Sequence, residues 1–364
     1  MDTKENIKNI KQKAYNTLGF SSDESELVDC LLRSLITMNG LDAGQNPSLK
    51  HYENEAVMMA QINAFLQRYA LRAGERTDIK QPIISDENLA SLEKVFTKLG
   101  MVDAICPSRR DYDVALCYGA PEVGVRQRVG DLAKIVSNPS FKIKNIVVLG
   151  ADRKLWPLKK TGKSISFPEP ILYDILAERL SARDGKEVSA EEIKNFVLNM
   201  DTKETAVEKI SEEVAVHPYF KGIKWPNETD LILAVIKENP VFEKEQITVV
   251  RTPDFPDGSR ANTGRTVHFA VMQNPKLFVP GATVLAISSQ PFIRNQKTVT
   301  LQNLPNAVNL EVVGEEIKKF TPKQAMICID SFARTVHANF SHYKENEKMK
   351  KLFVADLMWE QKAR

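Results

Sequence analysis

From about Arg109 onward, short continuous apolar runs alternate with segments whose apolar residues recur every three or four positions. The runs are Tyr112–Tyr118, Asn145–Leu149, Gln246–Val250, Thr283–Ile287 and Asn309–Val313. Strands that are apolar throughout, rather than at every second residue, predict a parallel sheet covered on both faces. Between the first two runs, Val125, Val129, Leu132, Ala133 and Val136 trace one helix face, so residues 112–149 read as a βαβ unit. Further helices are expected at Glu228–Glu238, capped by Asn227, at about Gly264–Met272, and near Pro291–Gln302. The pattern predicts a three-layer α/β fold with a mainly parallel sheet of about five or six strands.

Residues 1–108 carry only helical periodicity. Leu27, Leu31 and Leu35 share one face, and Met58, Ile62, Phe65 and Tyr69 share another, with Gly74 as a natural stop. Ser85 suits an N-cap for a helix whose stripe is Leu89, Leu92, Val95, Phe96 and Leu99, with Gly100 ending it. Residues from about 155 to 226 interrupt the alternation and read as a helical insertion, with Ser189 and Glu192 spaced as a capping box. The α/β domain is therefore expected over 109–316. Thr321-Pro322-Lys323-Gln324 opens a helix to about His342, and a further helix covers the last twenty residues, so 317–364 is expected to pack on the core.

Composition refines this picture. The 364 residues include 50 basic and 47 acidic side chains, for a net charge of +3, which is too even to point to nucleic acid as a partner. The four cysteines, Cys30, Cys106, Cys117 and Cys328, form no C-x-x-C pair and no zinc-spaced cluster with histidine, which fits free thiols in a reducing compartment. The charged start has no apolar core of signal-peptide length, and no stretch reaches the roughly 20 apolar residues of a membrane span. A cytoplasmic protein that does not engage membrane is expected.

Arginines follow four of the runs: Arg126, Arg153, then Arg251 with Arg260 and Arg265, and Arg294. In an open parallel sheet the ligand crevice lies outside the carboxyl ends of the strands, and the guanidinium fork pairs carboxylate or phosphate. The candidate contacts begin with Gly119 after the first run and Gly150, Asp152 and Arg153 after the second. The loop after the third run leads into a helix and adds Ser259, Asn262, Thr263, Gly264 and Arg265, a setting that favours an anion. Ser289, Gln290 and Arg294 follow the fourth run. Glu228 stands in the first turn of its helix, and Glu228 and Asp152 are the candidate general bases. Each assignment has a plainer counterpart: Asn262, Thr263, Ser289 and Gln290 also suit helix caps, Glu228 also suits the helix dipole, and Asp152–Arg153 also suits a surface pair.

Other motifs fail on context. Gly119 and Gly124 do not make a G-x-G-x-x-G fingerprint, and Thr161-Gly162-Lys163-Ser164 has Pro157 at the place of the first P-loop glycine. There is no G-x-S-x-G, and His337 and His342 stand five apart on a helix, so no metal site is expected.

Taken in order, Tyr112–Ala120, Asn145–Ala151, Glu228 in NETDLIL, Ser259–Arg265 in SRANTGRT and Ser288–Arg294 in SSQPFIR resemble the YdcF/SanA/ElyC family. The likeness covers roughly 110–154 and 225–315 and is closest to the soluble, YdcF-like branch. It implies a Rossmann-like domain of poorly defined function, and in that branch a link to S-adenosylmethionine. The chain departs from the family pattern at Leu149-Gly150-Ala151, at Arg251, at the extra Ala261 and at Thr266.

The expected function is a crevice at the strand ends that holds an anionic or zwitterionic small molecule, a nucleotide or an S-adenosylmethionine-like ligand. Two alternatives stay open: an enzyme acting on a phosphorylated or nucleotide substrate, and an interaction module that engages a protein partner through its helical regions.

Overall fold

The computed structural model describes residues 3–70, 84–153, 155, 170–199, 211–256 and 261–362. Gly74, the Thr161–Ser164 motif, Ser259 and Arg260 fall outside the described residues. The chain divides into two compact units, one of residues 106–289 and 303–314 and one of residues 1–105, 290–302 and 315–364.

The first unit is the α/β body. Its strands are β1 (Asp111–Tyr118), β2 (Lys142–Ala151), β3 (Ile247–Thr252), β4 (Thr283–Ile287) and β5 (Asn309–Val313). They form a parallel sheet in the order β3-β2-β1-β4-β5. The chain moves outward from β1 through β2 to β3, then crosses to the other side of β1 for β4 and β5. Parallel connections are right-handed, so that reversal puts the crossover helices on opposite faces. The helices after β1 and β2, α5 (Glu122–Ser137) and α8 (Glu228–Lys237), pack on each other, while the helix after β3, α9 (Thr263–Gln273), packs on β2 and β3. This is a three-layer, Rossmann-like arrangement. The central strand explains the unbroken apolar runs: Val114, Ala115, Leu116 and Cys117 are fully buried.

The insertion belongs to the same unit and contains α6 (Pro170–Asp184) and α7 (Ala190–Asn199), followed by helical residues at 211–216. Ile171, Leu172, Ile175 and Leu176 of α6 are buried, which anchors the insertion.

The second unit is helical. It contains α1 (Thr3–Thr17), α2 (Ser25–Met38), α3 (Glu55–Tyr69), α4 (Asp86–Lys98), α10 (Ile293–Leu301) and α11 (Pro322–Lys362). The caps at Ser85 and Thr321 form as the sequence predicts, and Asn54 caps α3 in the same way, each side-chain oxygen accepting a first-turn N–H. Gly100 ends α4 with φ +67°. Two C-terminal helices were expected, but α11 is a single helix, because neither glycine nor proline interrupts the chain after Pro322. Its Ala325, Cys328, Ile329, Phe332, Ala333 and Val336 share one core with Tyr15, Leu31, Leu35, Ile62 and Phe96. The segments 1–108 and 317–364, which the sequence pattern separates, thus meet in the same unit.

At the amino ends of the strands, Asp113 ties β1 to its neighbours. It accepts from Thr283 N at 2.8 Å, Thr283 Oγ1 at 2.9 Å and Lys144 Nζ at 2.7 Å. The Lys144 ammonium and the Thr283 donors hold its carboxyl at about 2, against an ordinary 3.8. A carboxylate held below its unfolded value stabilises the fold above that value, and the contribution is lost as pH falls from 3.8 through about 2. Lys144→Met should raise the Asp113 midpoint in a carboxyl NMR titration. An unchanged midpoint would show that Lys144 does not set it.

Candidate functional site

The ladders place the candidate residues side by side. Tyr118 pairs with Leu149 and Gly150 with Arg251, and the Gly119 N–H donates to the Leu149 carbonyl. Cys117 pairs with Ile287, so the chain beyond β4 carries the buried Ser288 and Ser289 along the same edge.

Over this edge sits the first turn of α8. Asn227 Oδ1 accepts from Asp230 N, and Asp230 Oδ2 accepts from Asn227 N, which makes a closed capping box. The box is tethered further, since Asn227 Nδ2 donates to Asp152 Oδ1 at 2.7 Å and Arg251 pairs with Asp230. Both strand-end glycines receive this turn. A Cβ on Gly119 would lie 1.7 Å from Glu228 Oε1, and one on Gly150 would lie 2.1 Å from Thr229 Oγ1 and 2.7 Å from Thr229 Cα. At Gly150 the lack of a side chain is a packing requirement, because the Thr229 backbone leaves no room for a Cβ, whereas at Gly119 the obstruction is the far end of the flexible Glu228 side chain.

The Glu228 carboxyl is the centre of the electrostatics. Arg153 Nε donates to Glu228 Oε2 at 3.0 Å, with side-chain exposures of only 17% and 14% for the two residues. Arg128 is 2% exposed and turns back along α5, donating Nη1 to the carbonyls of Gly119 at 2.8 Å and Tyr118 at 3.3 Å. Its Nε has no hydrogen-bond partner. Burial pushes the Glu228 carboxyl above its usual range, opposed by Arg153, the Ala151 N–H and Arg128. Burial likewise pulls Arg128 down, against the pull of Cys117, Glu228 and Tyr118. One guanidinium thus pairs with the carboxylate and a second is buried against the neighbouring Tyr118 and Gly119 carbonyls, in a poorly solvated place.

The remaining candidates divide by location. Gly119, Gly150, Arg153 and Glu228 come together as described. Asp152 is exposed beside them, with its backbone N–H on the Thr252 carbonyl. Asn262 is the N-cap of α9, accepting from Arg265 N at 3.0 Å, and Thr263 and the buried Gly264 open that helix. The Arg265 guanidinium donates to the carbonyls of Pro253 and Asp254 and lies 4.3 Å from the Phe255 ring and 5.1 Å from the Phe269 ring. Gln290 and Arg294 belong to the helical unit. Gln290 Nε2 holds the carbonyls of Gly100 and Asp103, and Arg294 pairs with Glu24 while donating to the carbonyls of Gly19 and Leu99. Arg126, too, is paired, with Glu122 and Glu238. The arginines after the runs therefore each have an internal acceptor where described.

The pattern missed Arg128, although it stands in phase with the apolar Val125, Val129 and Leu132 of α5. A charge on a buried stripe was the available signal. A hollow of about 340 Å³ lies at the opposite, amino-terminal end of the strands, lined by Asp113, Lys142, Lys144, Glu245 and Thr283 among others. Of its charged lining, Asp113 and Lys144 pair with each other and Thr283 donates to Asp113, whereas open α/β sheets receive ligands at the carboxyl ends.

Among the described residues no group of three or more His, Cys, Asp or Glu could hold a metal ion, and no helix is long and apolar enough to cross a membrane. The described cysteines are free, with Cys117 and Cys328 buried. No protein-family model, curated protein or solved structure matches the chain.

Two stability outcomes follow from this packing. Gly150→Ala should cost about 1–3 kcal/mol by overpacking, read as a lower urea midpoint. Combining it with Thr229→Ala should not restore the midpoint, because the Thr229 Cα itself obstructs. Arg265→Ala should also lower the midpoint, by about 1–2 kcal/mol for its lost hydrogen bonds and ring contacts. A fully stable Arg265→Ala would show that those contacts carry no weight.

Proposed function

We propose that the α/β unit binds an anionic or zwitterionic small molecule over the carboxyl ends of β1, β2 and β3. The observation that carries this reading is the ion pair of Arg153 with the poorly solvated Glu228 carboxylate beside Gly119, whose carbonyl the buried Arg128 holds. Arg128 and Arg153 stand there with Glu228 and Asp152, and the low local polarity strengthens each charged contact. Asp152, exposed next to Arg153, offers an acceptor for ribose hydroxyls or an amine. A nucleotide or an S-adenosylmethionine-like compound meets both demands, and the resemblance of the strand-end segments to the YdcF-like branch supports the second. Free thiols suit a cytoplasmic setting.

A second reading has its own support. A carboxyl raised by burial and placed at a strand end is poised as a general base, so Glu228 suits an enzyme acting on a phosphorylated or nucleotide substrate.

A thermal-shift panel of nucleotides, S-adenosylmethionine, its demethylated product and simple phosphates tests the binding reading. A ligand at about 100 times its Kd adds about 2.7 kcal/mol of stability and should raise Tm by several degrees. Arg153→Ala should fold and lose that shift. No shift with any compound would sink the proposal and favour an interaction module. Turnover of a shifting compound, lost in Glu228→Gln, would establish the enzyme reading.

A further inference from the structure

Glu228 is no part of the cap of the helix that carries it, although its charge suits the first turn. The capping box of α8 is closed by Asn227 and Asp230, and the packing on Gly150 is made by Thr229. The Glu228 side chain instead extends into the hollow over Gly119, with its Oε1 where a Cβ would be, and reaches Arg153. That hollow exists because residue 119 has no side chain. At the end of the first strand of a Rossmann-like sheet, such a hollow lets a ligand approach the backbone.

Arg128 adds an independent observation. It is 2% exposed, it grips the Gly119 carbonyl at 2.8 Å, and its Nε is without a partner. Peptide geometry is trans and planar, so drawing the Gly119 carbonyl toward Arg128 directs the Ala120 N–H the opposite way. The place over this turn also holds a backbone donor, the Ala151 N–H, which bonds the Glu228 carboxyl. The occupant is one flexible carboxylate whose helix would stay capped if the side chain swung out.

We propose that Glu228 is a resident anion, holding the place that a ligand's phosphate or carboxylate takes over Gly119 and competing with it for Arg153. This rests on the binding reading above and adds a regulatory element to it: the ligand must displace Glu228, so the unmodified chain binds oxyanions weakly. The displaced carboxylate needs only to rotate toward solvent, which its partial exposure permits. Competition of this kind is a difference between two states, and its size is the affinity that the resident group withholds.

Calorimetric titration of the full chain with inorganic phosphate and with acetate separates the outcomes. Glu228→Gln should bind one of them at least about tenfold more tightly than the unmodified chain, a factor that corresponds to about 1.4 kcal/mol. The compound that gains tells phosphate from carboxylate as the recognised group. Adding Arg153→Ala should abolish the gain. Glu228→Asp, whose carboxylate is one methylene shorter, should show a smaller gain in the same direction and serves if the glutamine variant does not fold. Equal or weaker binding by both Glu228 variants, with the unmodified chain still stabilised by a nucleotide or S-adenosylmethionine, would overturn the resident-anion role while the crevice reading stands. Absence of binding by every variant and every compound would remove both.

Discussion

The α/β unit depends on how the first turn of α8 closes over the ends of β1 and β2. Glu228 reaches Gly119 with the far end of its side chain, and Thr229, backbone included, meets Gly150 at distances where no Cβ could intervene. Close-packed interiors cannot absorb such an intrusion without moving a helix. The helix is then fixed in direction by the Asn227–Asp230 box, with Asp152 and Arg251 as tethers on the neighbouring strands. The strand ends, the helix start and the charged groups therefore form one mechanical piece. A change at either glycine is transmitted to all of them.

Electrostatics follow from that closure. Bringing α8 over the sheet takes the Glu228 carboxyl out of water, and burial alone raises its proton affinity. Arg153 and Arg128 offset the cost, yet neither arginine is free of other duties, since Arg128 also organises the Tyr118 and Gly119 carbonyls. A buried ion pair of this sort contributes little net stability, because desolvation consumes most of the attraction. What it provides is a defined polar arrangement at the edge where open α/β sheets receive ligands. That combination of small energetic return and precise geometry is the reason to look for function there.

The helical unit shows the contrasting case. Arg294 has the residue type and sequence position expected of a ligand contact, but its guanidinium is committed to Glu24 and to the carbonyls of Gly19 and Leu99. Gln290 is committed to the carbonyls of Gly100 and Asp103. Both residues follow β4 immediately, where the chain leaves the α/β unit. Arg265 is a milder instance within the α/β unit, held by two carbonyls and two aromatic rings. An arginine near a strand end is thus as useful for satisfying stray carbonyls as for binding an anion.

Periodicity and local chemistry determined much of this protein. The five strands lie where the continuous apolar runs lie; the middle of the central β1 is buried on both faces, whereas the edge strands β3 and β5 keep exposed and half-buried positions. The caps at Ser85, Asn227, Asn262 and Thr321 were legible, because a cap depends on residues within three positions of it. What only the tertiary structure decided involves partners far apart in the chain. The crossing from β3 to β4, the union of α11 with α1 to α4, and the choice of Glu24 over any ligand for Arg294 all join segments that no local window contains. The same holds for Gly119 and Gly150: the sequence marks them as points of close approach, but what approaches is a turn more than seventy-five residues away from each. Local rules fix which backbone a segment adopts, whereas the pairing of distant groups is set by the free energy of packing the whole chain.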